Sequence, residues 1–124
     1  MTKKRRDPKD YLPLTPSEFH VLLTLAEGEK HGYAIHKDVL HQTDSRVGLS
    51  TGTLYAILRR LLSEGMIEKA SRRPAPDRED ERRRYYRLSR FGKEVAAAEL
   101  AEMEKHLSTA RARNLLDVAQ PSQG

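Results

Sequence analysis

The apolar positions of residues 50–65, STGTLYAILRRLLSEG, repeat with the period of a helix. At about 100° per residue, Leu54, Ile57, Leu58 and Leu61 fall on one stripe, which is the pattern of a surface helix with one buried face. Gly52, Ala56, Arg59 and Ser63 fall opposite, with Arg60 at the edge. Ser50 is placed to cap the free N–H groups of the first turn, and Gly65 to end the helix. An outer face that is small in its middle and cationic beside it can approach a phosphate-lined groove and neutralise it. The same face also suits an ordinary amphipathic helix with two solvated arginines, so the rest of the chain has to decide.

The pattern predicts two helices before this one. Thr15, Pro16 and Glu18 form an N-terminal signature, a capping box with proline at the first helical position. Phe19, Leu22, Leu23 and Ala26 mark a core face, and Gly28 marks the stop. A second helix is expected from about residue 31 to 43, with Ile35 and Val39 inward and Leu40 beside them. Residues 44–49, containing Gly48, link it to the helix at 50–65. Helix, short turn and a second helix with a cationic outer face is the helix-turn-helix arrangement.

After Gly65 the period changes. Residues 66–72 and 82–88 read as two strands, with Tyr86 and Leu88 on one face and Tyr85 and Arg87 on the other. The loop between them holds two prolines and a run of charges. A two-stranded ribbon directly after a helix-turn-helix is a wing. Arg72, Arg73, Arg78, Arg82, Arg83 and Arg84 lie on its flanks and tip, with Asp77, Glu79, Asp80 and Glu81 among them. Arginines beside tyrosines suit a phosphate backbone and a minor groove, while a solvated hairpin with local ion pairs is the plainer alternative.

From Ser89, a cap, to about residue 116 the chain reads as one helix. Ala96, Leu100, Met103, Leu107, Ala110 and Asn114 recur at the alternating spacing of a heptad seam. Such a helix is too long and too thinly apolar to be buried on a domain this small, so a second copy is its expected partner. Residues 1–13, which include Lys3, Lys4, Arg5 and Arg6, read as a flexible basic arm, and 117–124 as a disordered tail. The domain organisation is therefore an arm (1–13), a DNA-binding domain (14–90), a dimerisation helix (91–116) and a tail.

Composition narrows the function. The first 90 residues hold 19 Lys and Arg against 13 Asp and Glu, and the remainder 4 against 5. The excess positive charge thus lies wholly in the first part, which favours a polyanionic partner there. The chain has no Cys, which excludes disulfides and thiolate metal sites. His31, His36 and His41 are five residues apart, so each is turned about 140° from the last and they share no face. Solvated or phosphate-facing histidines fit better than a metal site, and no metal or cofactor is expected. Acidic residues and histidines do not converge on one face, so an enzyme is not expected. No apolar run approaches a membrane span, and a cytoplasmic protein is expected. Gly32 and Tyr33 stand at the start of the second helix. Gly32 leaves room for another backbone to come close, and Tyr33 suits either a phosphate contact or the core.

Three stretches resemble the PadR family of transcriptional regulators, of the short-tailed type with a single C-terminal helix. They are LTPSEFHVLLTLAEGEKHGYAI, GTLYAILRRLLSEGMIE and RRRYYRLSRFGKE, within a resemblance covering residues 12–116. The resemblance implies a winged helix-turn-helix fold, mainly α with a small β-hairpin. It also implies a homodimer joined by the C-terminal helix that represses from a palindromic operator and is relieved by a small molecule. Gly52, Thr53, Leu54 and Tyr55 match the family's GTLY at the start of the recognition helix, with Thr53 and Tyr55 as backbone or base contacts. Tyr33 matches the aromatic of its HGY element, which lies close to DNA. The chain has no Trp, whereas some members stack aromatic drugs between tryptophans. The expected DNA contacts are Tyr33, Ser50, Thr51, Gly52, Thr53, Tyr55, Ala56, Arg59, Arg60 and the wing arginines 72, 73, 82, 83 and 84. A protein-interaction winged helix and a non-specific architectural DNA-binding module remain as alternatives.

Overall fold

The computed structural model describes residues 6–70 and 84–119. Its elements run α1 (Pro16–Leu25), β1 (Lys30–His31), α2 (Gly32–Gln42), α3 (Thr51–Ser63), β2 (Ile67–Lys69), β3 (Tyr85–Leu88), α4 (Arg90–Ala112) and α5 (Leu115–Ala119). A one-turn 3-10 helix, Pro8–Tyr11, precedes them.

The start of α1 forms as its sequence requires. The Thr15 hydroxyl accepts from the Glu18 N–H at 3.1 Å, and the Glu18 carboxylate accepts from the Thr15 N–H at 3.0 Å. Its buried face differs from the expected one. Val21, Leu22 and Leu25 are buried, with Phe19 beside them, whereas Leu23 and Ala26 are exposed. The helix is apolar on most sides, so periodicity alone could not choose between neighbouring stripes. Tertiary contact with α2 and α4 chose.

The link between α2 and α3 turns on Asp44 and Ser45, both in the left-handed region at φ 51° and 64°, and not on Gly48. The Thr43 hydroxyl secures it, donating to the Val39 carbonyl at 2.8 Å and accepting from the Val47 N–H at 3.1 Å. Leu54, Leu58 and Leu61 of α3 then meet Leu22, Ile35, Val39, Met66, Ile67, Tyr86 and Val95 in a single core. Each fully buried Leu or Ile there contributes about 1.5–3 kcal/mol relative to exposure.

The wing strands pair antiparallel, with Ile67 opposite Leu88 and Lys69 opposite Tyr86. A third strand, β1, lies on the other side of β3, with His31 opposite Tyr85. At two residues it is too short to leave a pattern in the sequence. Tyr86 faces the core and Arg87 faces solvent, as alternation requires.

The N-terminal segment departs from the expected flexible arm over its described part. The Arg6 guanidinium sits 4.0 Å over the Phe91 ring and donates to the Glu64 carbonyl at 2.7 Å. Tyr11 packs edge-on against Phe91 at 5.3 Å. The Leu14 N–H donates to the buried carboxylate of Glu99 at 2.7 Å. Residues 6–14 are thus strapped across the start of α4. Lys3, Lys4 and Arg5 lie outside the described residues.

The last helix is also shorter than the seam predicts. It ends at Ala112, and Asn114 stands in the left-handed region at φ 59° before α5. Asparagine tolerates that conformation and so terminates a helix readily. The tail expected to be disordered from 117 is helical as far as Ala119. Among the described residues, no helix is long and apolar enough to cross a membrane.

Candidate nucleic-acid interface

The outer face of α3 is as the spacing predicts. Gly52, Ala56, Arg59 and Ser63 are all exposed, while Leu54, Leu58 and Leu61 are buried and Ile57 is half-buried. Ser50 caps the helix by accepting from the Thr53 N–H at 3.1 Å, and its hydroxyl also meets the Thr53 hydroxyl at 2.9 Å. That pair fixes the first turn, where Thr51 and Gly52 stand exposed. Arg59 has no ion-pair or hydrogen-bond partner among the described residues and keeps its charge for an external one. Arg60 is different. One of its guanidinium nitrogens lies 3.2 Å from Glu18 of α1, although its side chain stays 68% exposed.

Tyr33 is settled as a surface residue, 64% exposed, which removes the core alternative. Its ring stacks nearly parallel to His31, with centroids 6.4 Å apart, and Lys37 lies 5.6 Å over it. His31 caps α2 by accepting from the Ala34 N–H on Nδ1 at 3.3 Å. Lys37 leaves no signal in the sequence because a lone cation on a helix makes no pattern. It nevertheless gives Tyr33 a cationic neighbour. Between the first turns of α2 and α3 lies a hollow of about 110 Å³, lined by Gly32, Tyr33, His36, Thr51, Leu54 and Tyr55.

Of the wing arginines, Arg84 is exposed just before β3. Arg72, Arg73, Arg78, Arg82 and Arg83 lie outside the described residues. Arg87 is engaged within the fold, 3.0 Å from Glu68 and 3.9 Å from Glu29.

Away from this face, Lys30 bridges Glu27 and Asp38, each at 2.6 Å. The hydrogen bond from Lys30 lowers the Asp38 pKa, and the Thr24 hydroxyl assists from 2.9 Å. The hydrogen bonds to Asp38 and Glu27 raise that of Lys30. Burial raises the pKa of Tyr86. The carboxylates of Glu27 and Asp38 line a hollow of about 290 Å³ with Leu23, Thr24, His41 and Gln42, and both are already paired with Lys30.

The expected dimer seam divides in two. Ala96 packs against the chain's own core. Leu100, Met103 and Leu107 are 42%, 41% and 40% exposed on the far half of α4, Ala110 is half-buried, and Asn114 lies beyond the helix.

No curated protein matches the chain. Several solved structures resemble it. A transcriptional regulator from Clostridium thermocellum is 27% identical with a TM-score of 0.60, covering 86% of this chain and 92% of its own. RosR of H. salinarum is 26% identical with a TM-score of 0.60, covering 89% and 94%. A PadR-like transcription factor from Bacteroides fragilis, 22% identical at a TM-score of 0.57 and covering 77% and 86%, shares the fold. The similarity to the Clostridium regulator agrees with a regulator and not an enzyme. Residues 21–98, which run from the core of α1 through both helices of the helix-turn-helix and the wing into α4, match the transcriptional regulator PadR-like family, and the chain belongs to it.

Proposed function

We propose that this DNA-binding regulator is a homodimeric, cytoplasmic repressor of a palindromic operator. One observation carries the proposal. The exposed face of α3 presents small residues, Gly52 and Ala56, beside an arginine, Arg59, that nothing among the described residues neutralises. Small side chains let a helix sink into a major groove, and an unpaired cation meets the phosphates at its rim.

In this reading Thr51, Thr53, Tyr55 and Ala56 lie at or near base edges, with Ser50 and Gly52 at the phosphates beside them. Arg59, Arg60, Tyr33 and the wing residues Arg72, Arg73, Arg82, Arg83 and Arg84 hold the backbone and set the register without reading sequence. Leu100, Met103, Leu107 and Ala110 meet the same residues of a second copy. The pair of recognition helices then falls on half-sites about 34–36 Å apart. A small-molecule effector would relieve repression by changing the angle between the two α4 helices and so that spacing.

The test is binding of the purified protein to its own upstream DNA and to a shuffled fragment at one fixed, near-physiological salt. The proposal expects a preference of at least ~10³. Binding that falls steeply with salt but ignores sequence would indicate an architectural protein. Binding that ignores salt and survives loss of Arg59 and Arg60 would indicate a protein partner.

A further inference from the structure

Tyr55 stands beside Ala56 on α3, yet its phenol is spent inward. It is 38% exposed. A Cβ at Gly32 would lie 2.6 Å from its hydroxyl oxygen and 3.0 Å from Cζ. The tip of the ring therefore occupies the space that any other residue at position 32 would fill. Gly32 opens α2 and directly follows His31 of β1, which pairs with Tyr85 of β3. Tyr86, next along β3, feels the Tyr55 phenol electrostatically, in addition to its own burial. One ring on α3 thus abuts the first residue of α2.

We propose that Tyr55 is a positioning residue. Seated in the notch left by Gly32, it fixes the angle of α3 against α2, so that Thr51, Thr53 and Ala56 reach the base edges while Tyr55, close beside them, itself reads none. The inference rests on the DNA-binding reading above. Its physical basis is that packed helices meet in discrete arrangements and do not slide freely. A reading helix must be held to a fraction of an ångström for several contacts to form together. Emptying or overfilling the notch would spoil all of them at once, whereas removal of a base reader spoils one.

The experiment measures binding of the full chain to its upstream operator and to single-base variants of it. The proteins are the wild type, Tyr55→Leu, Gly32→Ala and the double variant, each checked by circular-dichroism melting. Tyr55→Leu should lower discrimination at most base pairs of a half-site together, by about tenfold. Gly32→Ala should do the same, and the double variant should be no worse than the worse single one. Relaxation at one base pair only in Tyr55→Leu would make Tyr55 a base reader and overturn the proposal. So would undisturbed discrimination in either single variant, or losses that multiply in the double. Should Gly32→Ala fail to fold, the double variant must fold, because the ring that collides is gone; a double variant that stays unfolded overturns the proposal too. A wild type without preference for its own upstream DNA refutes the DNA reading and this inference with it. That result is distinct from a discriminating wild type that Tyr55→Leu matches.

Discussion

Both α3 and α4 begin on a serine cap and bury one face, Leu54, Leu58 and Leu61 on the first and Gly92, Val95 and Glu99 on the second. What they leave outside differs. On α3 it is Gly52, Ala56, Arg59 and Ser63; on the far half of α4 it is Leu100, Met103 and Leu107. Both helices are amphipathic, so amphipathicity alone does not separate their roles. The chemistry of the uncovered side does. A small, cationic face loses little by leaving water for a polyanion. A row of large apolar side chains gains by leaving water for another apolar surface.

The strongest way to break this comparison is to remove the joint on which both faces depend. Gly92 lies so close to the Met66 backbone carbonyl and to Leu88 that a Cβ there would collide with both. Met66 is backbone at the base of the wing and cannot rotate aside. Gly92→Ala should therefore cost about 1–3 kcal/mol or more, read from urea unfolding. Gly52→Ala is the control, since nothing lies within 4 Å of its Cβ position. It should change stability far less.

The second prediction separates the faces. Leu107→Glu should leave the melting temperature near that of the wild type but shift the chain to monomer in light scattering, with operator affinity falling as the second half-site is lost. Arg59→Ala should do the opposite and leave assembly alone. It should weaken binding to all DNA sequences by a similar factor and reduce the salt slope by about one. If Arg59→Ala instead relaxed the preference at one base pair, Arg59 would be a reader and not a clamp.

Smaller effects test the scaffold. Thr15→Ala removes one half of the capping box on α1 and should cost about 1 kcal/mol. Asp38→Asn breaks the bridge to Lys30. The Asp38 pKa is lowered in the fold, so its contribution is complete above the ordinary aspartate value and is lost as pH falls through the folded one. The Lys30 pKa is raised, so its contribution is present below the ordinary lysine value and is lost as pH rises through the folded one. Both partners are near the surface, and the effect should lie within about 0.2–1 kcal/mol at neutral pH.

The helix caps, the helix-turn-helix and the α3 face were legible in the sequence because each rests on local spacing. Ser50, Thr15 and Ser89 act within three residues of themselves. What escaped depends on distant partners. The strap of residues 6–14 exists because Phe91, Glu64 and Glu99 receive it, and nothing in MTKKRRDPKDYLP announces them. The two-residue strand β1 exists because Tyr85 and Tyr86 offer an edge. The ion pair of Arg60 with Glu18 joins helices 42 positions apart, so two neighbouring arginines that look alike in sequence differ in how free they are. Gly32 reads in sequence as room for another backbone, whereas the occupant is the side chain of Tyr55, which only the tertiary fold brings there.

The most direct measurement of the account is the stoichiometry and footprint of the complex with the upstream operator. Two chains per operator are expected, protecting two major-groove half-sites about one helical turn apart, 34–36 Å. A single chain on a single protected site would mean that the apolar face of α4 does not join two copies. Two chains bound without discrete half-sites would mean that the face of α3 does not read DNA.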